Sequence, residues 1–206
     1  MSLVQILLQP DEAYVAVDTR TAGFVPGSVK PKIYEGTKMI PLLAAQVIFT
    51  IRGDGHFLRW VFNHFSTNQG SLDFDAIAES LEDVVRRCAL GYQAALSRQG
   101  LRGADRLGNE ICAVGWSQRT QSMGCVLVLT KGHSVQSSVR KNGVIGPALS
   151  APLDARTMLE DGEFIRRARQ QVEVAAAEDP AMPIGGRLLL ARLTRTELSV
   201  RDLGEI

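Results

Sequence analysis

Apolar and polar positions change their spacing several times along the chain, and each change marks an element. Leu3 to Leu8 and Ala13 to Val17 are short apolar runs separated by Gln9-Pro10-Asp11-Glu12, turn formers of hairpin length, which predicts a strand pair. Residues 21 to 45 carry Gly23, Pro26, Gly27, Pro31, Gly36 and Pro41 and read as loop; Gln46 to Ile51 is β-rich again and ends at Arg52-Gly53-Asp54-Gly55. The period then becomes helical. Phe57, Leu58, Val61, Phe62 and Phe65 fall on one face behind Asp54 as N-cap, and Phe74, Ile77, Leu81, Val84, Cys88, Tyr92 and Ala95 follow from a capping Asp73 towards Gly100.

Glu110 to Trp116 and Met123 to Thr130 read as a strand pair across a polar turn, with Gln136 to Arg140 as a third strand before Asn142-Gly143. Ile165, Ala168, Val172 and Ala175 line a further helix that Asp179-Pro180 stops, and Arg166, Arg167, Arg169 and Glu173 form its solvated side. Leu188 to Leu193 and Glu197 to Val200 complete the pattern as two strands joined by Thr194-Arg195-Thr196. Strands, two helices, strands, helix, strands is the order of an α+β sandwich in which helices cover the outer faces of two sheets.

Composition narrows the function classes. The 206 residues carry 23 Lys+Arg against 22 Asp+Glu, a formal charge of +1, so nothing global draws the chain to nucleic acid or an anionic membrane. A chain of this length buries roughly 70% of its unfolded surface and needs no disulfide or structural metal. Cys88, Cys112 and Cys125 are widely spaced among apolar residues and read as reduced core cysteines; His56, His64 and His133 show no metal-ligand spacing. No cofactor or metal is implied. With no membrane-length apolar run and no signal pattern in residues 1 to 10, the expected location is cytoplasmic.

Candidate chemistry concentrates in the first 53 residues. Removal of Met1 would make Ser2 the N-terminal residue, and an N-terminal hydroxyl can use its own α-amine, of pKa about 7.7–8.0, as general base. Asp18 and Lys32 could supply a charge pair that tunes it, and backbone N–H groups at Gly53-Asp54-Gly55 could hold an oxyanion. Each has a plainer reading: Ser is common at position 2, Asp18 suits a strand-end turn, Lys32 suits a loop, and glycines punctuate strand-to-helix turns.

Val15-Ala16-Val17-Asp18-Thr19-Arg20-Thr21-Ala22-Gly23 resembles the aspartate segment of proteasome β subunits, which are N-terminal nucleophile (Ntn) hydrolases; Asp18 lies sixteen positions after Ser2. Lys32-Ile33-Tyr34 resembles the family's lysine segment, and Arg52-Gly53-Asp54-Gly55 its glycine turn. Lys131 to Ser134 is similar to the turn with the accessory serine, Val144-Ile145-Gly146 to the strand end after it, and Asp179 with Ile184-Gly185-Gly186 to the segment with a supporting aspartate.

The resemblance implies a four-layer αββα sandwich, Ntn hydrolase-like, as a single domain over residues 1–206. It also implies a site in which Ser2 attacks, Asp18 and Lys32 tune it, Gly53 donates to the oxyanion, and Ser134 and Asp179 assist. The expected function is a proteasome-like hydrolase of peptide or amide bonds that self-associates into a homo-oligomer or ring. The alternative is an inactive structural or assembly subunit that retains Met1.

Overall fold

The two opening apolar runs fold as an antiparallel hairpin, β1 (Val4–Leu8) and β2 (Glu12–Asp18), in register from Val4↔Val17 to Leu8↔Ala13. Gln9 N–H donates to the Glu12 carbonyl at 2.9 Å and closes its turn. These positions belong to a computed structural model that describes residues 2–23, 32–67, 72–98, 108–131, 134–140, 143–146, 149, 160–180 and 183–206. Met1, Gly100, Asn142 and the middle of the 131–134 turn, all invoked above, lie outside the described residues.

By its internal contacts the chain divides into two units, residues 1–38 with 142–206, and residues 39–141. The discontinuous unit holds a five-stranded antiparallel sheet in the order β10-β1-β2-β11-β12, with β10 at Gly143–Gly146, β11 at Arg187–Thr194 and β12 at Leu198–Glu205. A two-stranded ribbon, β3 (Arg20–Gly23) with β4 (Lys32–Glu35), stands beside it in sequence. Helix α3 (Asp161–Glu178) lays Phe164, Ala168 and Ala175 against Leu3, Leu7, Tyr14, Ala16, Leu188 and Leu190.

The continuous unit is a second antiparallel sheet, ordered β5 (Met39–Leu42), β6 (Val47–Arg52), β7 (Asn109–Ser117), β8 (Ser122–Lys131), β9 (Ser134–Arg140). Helices α1 (Gly55–Thr67) and α2 (Phe74–Arg98) cover one face, burying Phe57, Leu58, Val61, Phe65, Ile77, Leu81 and Val84 against Val47, Phe49, Ile51, Ile111, Ala113 and Val126. Each large side chain so buried contributes about 1.5–3 kcal/mol. Asp54 and Asp73 cap the helices as their spacing predicts: Asp54 Oδ1 accepts from His56 N–H and Asp73 Oδ1 from Ala76 N–H, both at 2.9 Å. Phe74 enters a notch made by Gly115 and Gly124, opposite one another on β7 and β8; a Cβ on Gly124 would lie 2.6 Å from the Phe74 ring. The chain is thus a mixed α/β fold of antiparallel sheets and a few helices. Among the described residues no helix is long and apolar enough to cross a membrane.

The pattern misplaced several elements. Residues 21 to 45 are not all loop: they hold part of β3, and β4, β5 and a single 3-10 turn at Leu43–Ala45. Four-residue strands are too short to show alternation, and β5 accommodates Pro41 because among the described residues it is an edge strand with β6 as its one neighbour. The last strand runs to Glu205 rather than Val200, an exposed, charge-rich edge with little apolar signal.

The buried stripe of α3 is Phe164, Arg167, Ala168, Gln171 and Ala175, so Arg167, expected on the solvated face, is 4% exposed. It pairs with Glu163 at 2.9 Å, one turn earlier, while Gln171 Oε1 accepts from the buried Gln5 side chain at 2.8 Å. Two polar residues on the core side hid the stripe from a count of apolar spacing.

Candidate functional site

Asp18 ends β2 with its carboxylate fully buried, a costly placement for a charge unless donors surround it. Three do. Oδ1 accepts from Leu3 N–H at 2.8 Å and from the Lys38 ammonium at 2.6 Å, and Oδ2 accepts from Gly185 N–H at 2.9 Å. Because Leu3 and Lys38 share one oxygen, the peptide between Ser2 and Leu3 is held within one carboxylate's width of the lysine. Ser2 and Lys38 are each 2% exposed, so the cluster is screened from bulk water.

The turn after β2 fixes the donors. Thr19 N–H donates to the Arg187 carbonyl at 3.0 Å and Arg20 N–H to the Gly185 carbonyl at 2.9 Å, which aligns the strand entering β11 beside Asp18. Gly36 N–H donates to the Thr19 carbonyl at 2.8 Å and carries the segment with Lys38 back to the same point. Thr19 Oγ1 donates to Glu35 and accepts from Arg187 N–H, each at 2.8 Å. Gly185 and Gly186 have φ of 114° and 80°, in the region that favours glycine, and a Cβ on Gly186 would meet Thr19 Oγ1 at 2.8 Å. Both glycines are therefore required by backbone, and Gly186 by space as well.

Burial dominates the protonation of the pair. It pushes the Asp18 carboxyl above its ordinary value, against the pull of Lys38, Gly185 and Leu3, and pushes the Lys38 ammonium below the ordinary lysine value, against the pull of Asp18. A lysine so placed releases its proton more readily than an exposed one. It is suited to set the potential at, or exchange a proton with, a nucleophile at the start of β1.

The expected partner of Asp18 is corrected by this geometry. Lys32 lies exposed on β4, paired in register with Gly23, and the ammonium that reaches Asp18 is that of Lys38. The ribbon of β3 and β4 is two strands wide and leaves all four residues of β4 exposed, so a lysine there stays solvated. Lys38, by contrast, immediately precedes an apolar strand, and a lysine between Gly36-Thr37 and Met39-Ile40 is the signal that could have singled it out among Lys30, Lys32 and Lys38.

The structure places Asp179 at the C-terminal end of α3, exposed, its N–H on the Ala175 carbonyl at 2.9 Å; the segment's donor to Asp18 is Gly185. Gly53 and Ser134 belong to the other unit. Gly53 joins β6 to α1 with φ of 143°, packed against Asn109, whose Oδ1 accepts from Asp54 N–H at 2.8 Å. Ser134 opens β9, exposed, opposite Lys131.

No protein-family model matches the chain, and no curated protein matches it in sequence. Solved structures do match. Anbu from Hyphomicrobium sp. strain MC1 has a TM-score of 0.60 at 12% identity, over 99% of this chain and 88% of that one. Anbu (ancestral beta-subunit) from Yersinia bercovieri has a TM-score of 0.61 at 10% identity over the same shares. An Anbu (Gly-1) mutant from the Hyphomicrobium strain has 0.59 at 11%, again over 99% and 88%. These likenesses correct the resemblance to proteasome β subunits drawn from the motifs: the similar structures are Anbu proteins, a proteasome-like but distinct group. At 10–12% identity what they establish is the fold that this chain shares with those proteins.

Proposed function

We propose that this chain hydrolyses peptide or other amide bonds with Ser2 as nucleophile, in a form whose Ser2 α-amine is free. The observation that carries the reading is the buried Asp18–Lys38 pair, joined through the shared Oδ1 to the backbone next to Ser2. Ser2 Oγ attacks the amide carbonyl carbon as its proton passes to the α-amine; the C–N bond breaks, the proton leaves with the amine product, and water then hydrolyses the Ser2 ester. The Lys38 ammonium holds the local potential in favour of the deprotonated hydroxyl, and Asp18 orients Lys38. Gly53 as oxyanion donor, with Ser134 and Asp179 as accessory groups, belongs to the proposal, as do a four-layer αββα stack, a single domain over residues 1–206 and self-association into a homo-oligomer.

Intact mass before and after a peptide electrophile selective for N-terminal hydroxyls tests the reading. One adduct mapped to Ser2, lost in Ser2→Ala and in Lys38→Ala, supports it; an adduct that survives Lys38→Ala removes Lys38 from the mechanism. The 2% exposure of Ser2 favours a second reading, a chain that keeps the fold without catalysis. Retained Met1 with no adduct, and no change in amide hydrolysis on Ser2→Ala, would establish that one instead.

A further inference from the structure

The outer side of the α1–α2 pair has a composition that its inner side does not require. Residues 55–67 and 84–98 hold no Asp or Glu at all, while they carry Arg59, Arg86, Arg87 and Arg98. Acids on α2 are confined to its first half, where Asp75, Glu79, Glu82 and Asp83 are engaged by Ser117, Arg119, Ser137 and Arg86. Several other arginines are matched: Arg52 with Glu110, Arg86 with Glu82, Arg167 with Glu163, Arg187 with Asp202, Arg192 with Glu12 and Arg201 with Asp161. Arg59, Arg87 and Arg98 have no carboxylate among the described residues, and all three are exposed.

Apolar surface lies among these charges. Trp60 is 41% exposed and Leu90 63% exposed. Trp60 crosses from α1 onto α2 where Gly91 makes room: a Cβ at Gly91 would lie 3.0 Å from the indole ring, and the Trp60 and Tyr92 ring centroids are 5.6 Å apart. On α2, Arg87, Gly91, Ala94 and Arg98 recur at helical spacing, so two guanidinium groups bracket a shallow run of small residues beside the indole. Both the excess of positive charge, three exposed arginines against the single Asp54 carboxylate that accepts from Tyr92, and the exposed apolar anchors are features of binding faces rather than of solvated helix surfaces, which intersperse signs.

We propose that this face docks an acidic amphipathic segment of a partner protein, its apolar side chains on Trp60, Leu90 and Ala94 and its carboxylates on Arg59, Arg87 and Arg98. Charge complementarity selects the occupant. A second copy of the same face would bring arginine against arginine. Nucleic acid would leave the aliphatic Leu90 without a partner, and three arginines at a helix crossing make no track for a phosphate backbone. The proposal is independent of the Ser2 chemistry.

The test uses the full chain and fluorescence anisotropy of labelled synthetic helices: one with Leu at helical spacing and Glu elsewhere, its Lys counterpart, and a single-stranded oligonucleotide. The Glu–Leu peptide is expected to bind with an affinity that falls as salt rises, and the Lys–Leu peptide is not. Arg59→Glu/Arg87→Glu, checked for unchanged circular dichroism, should weaken binding about tenfold or more, and Leu90→Ser severalfold. Equal binding of the two peptides, an unaffected double variant, tighter binding of the oligonucleotide, or no binding up to about millimolar peptide overturns the proposal. So does a fall in mass by light scattering in the double variant, which would assign the face to contact between copies.

Discussion

Removing either half of the Asp18–Lys38 pair is expected to destabilise the fold, with opposite dependence on pH. In Lys38→Met the buried carboxylate keeps Leu3 and Gly185 N–H but loses the ammonium that opposes its burial most strongly. Its folded pKa, already raised, rises further. A carboxyl with a folded pKa above its unfolded value of about 3.9 costs nothing in acid, and the cost grows as pH climbs from there to the folded value. In Asp18→Asn the ammonium stays buried but loses the Asp18 carboxylate, so its folded pKa drops further below about 10.4. That cost is present at neutral pH and fades as pH rises from the folded value towards the unfolded one.

Breaking a buried pair by deleting one member typically costs about 3–5 kcal/mol, which a fold stable by about 5–15 kcal/mol survives. The double variant buries no charge. Its remaining cost is about 1–3 kcal/mol, because the amide that replaces the Asp18 carboxylate must set a donor against one of the two backbone N–H groups. Urea unfolding followed by circular dichroism at about pH 5, 7 and 9 reads all three variants. Slopes of the same sign in the two single variants, or a cost under about 1 kcal/mol for each at neutral pH, would show that the pair is not held as the geometry states.

Gly124→Ala should cost about 1–3 kcal/mol through the clash with Phe74, and Phe74→Leu in the same chain should recover part of it; thermal unfolding of the two variants beside the unaltered chain checks this. Glu163→Gln should cost about 1–3 kcal/mol by leaving the buried Arg167 beside a neutral partner, whereas Arg167→Met should cost less. Hydrogen bonds from Arg166, ahead of the opposing effect of burial, hold Glu163 below the ordinary glutamate range, so this stability is present above about pH 4.3 and lost as pH falls through the folded value. Urea titrations across that window compare the variants. Asp54→Ala removes acceptors for His56 N–H and the Tyr92 hydroxyl and should cost about 1 kcal/mol in the same assay.

Long periodic elements were legible because their signals repeat. Helices α1 and α2 carry apolar residues turn after turn behind an Asp cap, and the β7–β8 pair has enough length to read as strand. The α3 stripe was displaced because Arg167 and Gln171 occupy core-facing turns, satisfied by Glu163 and Gln5, which lie respectively one turn away and in a strand 166 residues distant. No local rule finds a partner at that separation. Asp18 could be singled out by its sequence neighbourhood, whereas the one signal for its lysine was the glycine turn before Lys38 and the apolar strand after it. Three lysines stand within nine residues, from Lys30 to Lys38, and the choice among them depends on how the Gly36 turn returns to Thr19.

The hydrogen bond from Gly185 to Asp18 spans 167 residues, and the unit containing it is interrupted by the whole of the other. During synthesis the continuous unit, residues 39–141, is complete before β10, α3 or β11 exists. The hairpin of β1 and β2 must wait, with two of the carboxylate's three donors already made but the third still untranslated. Asp18 therefore gains its full set of donors only once Gly185 has been translated. Such long-range closure places this cluster among the slowest contacts of the chain to form, and so any reactivity built on it is withheld from the nascent polypeptide without a dedicated inhibitor.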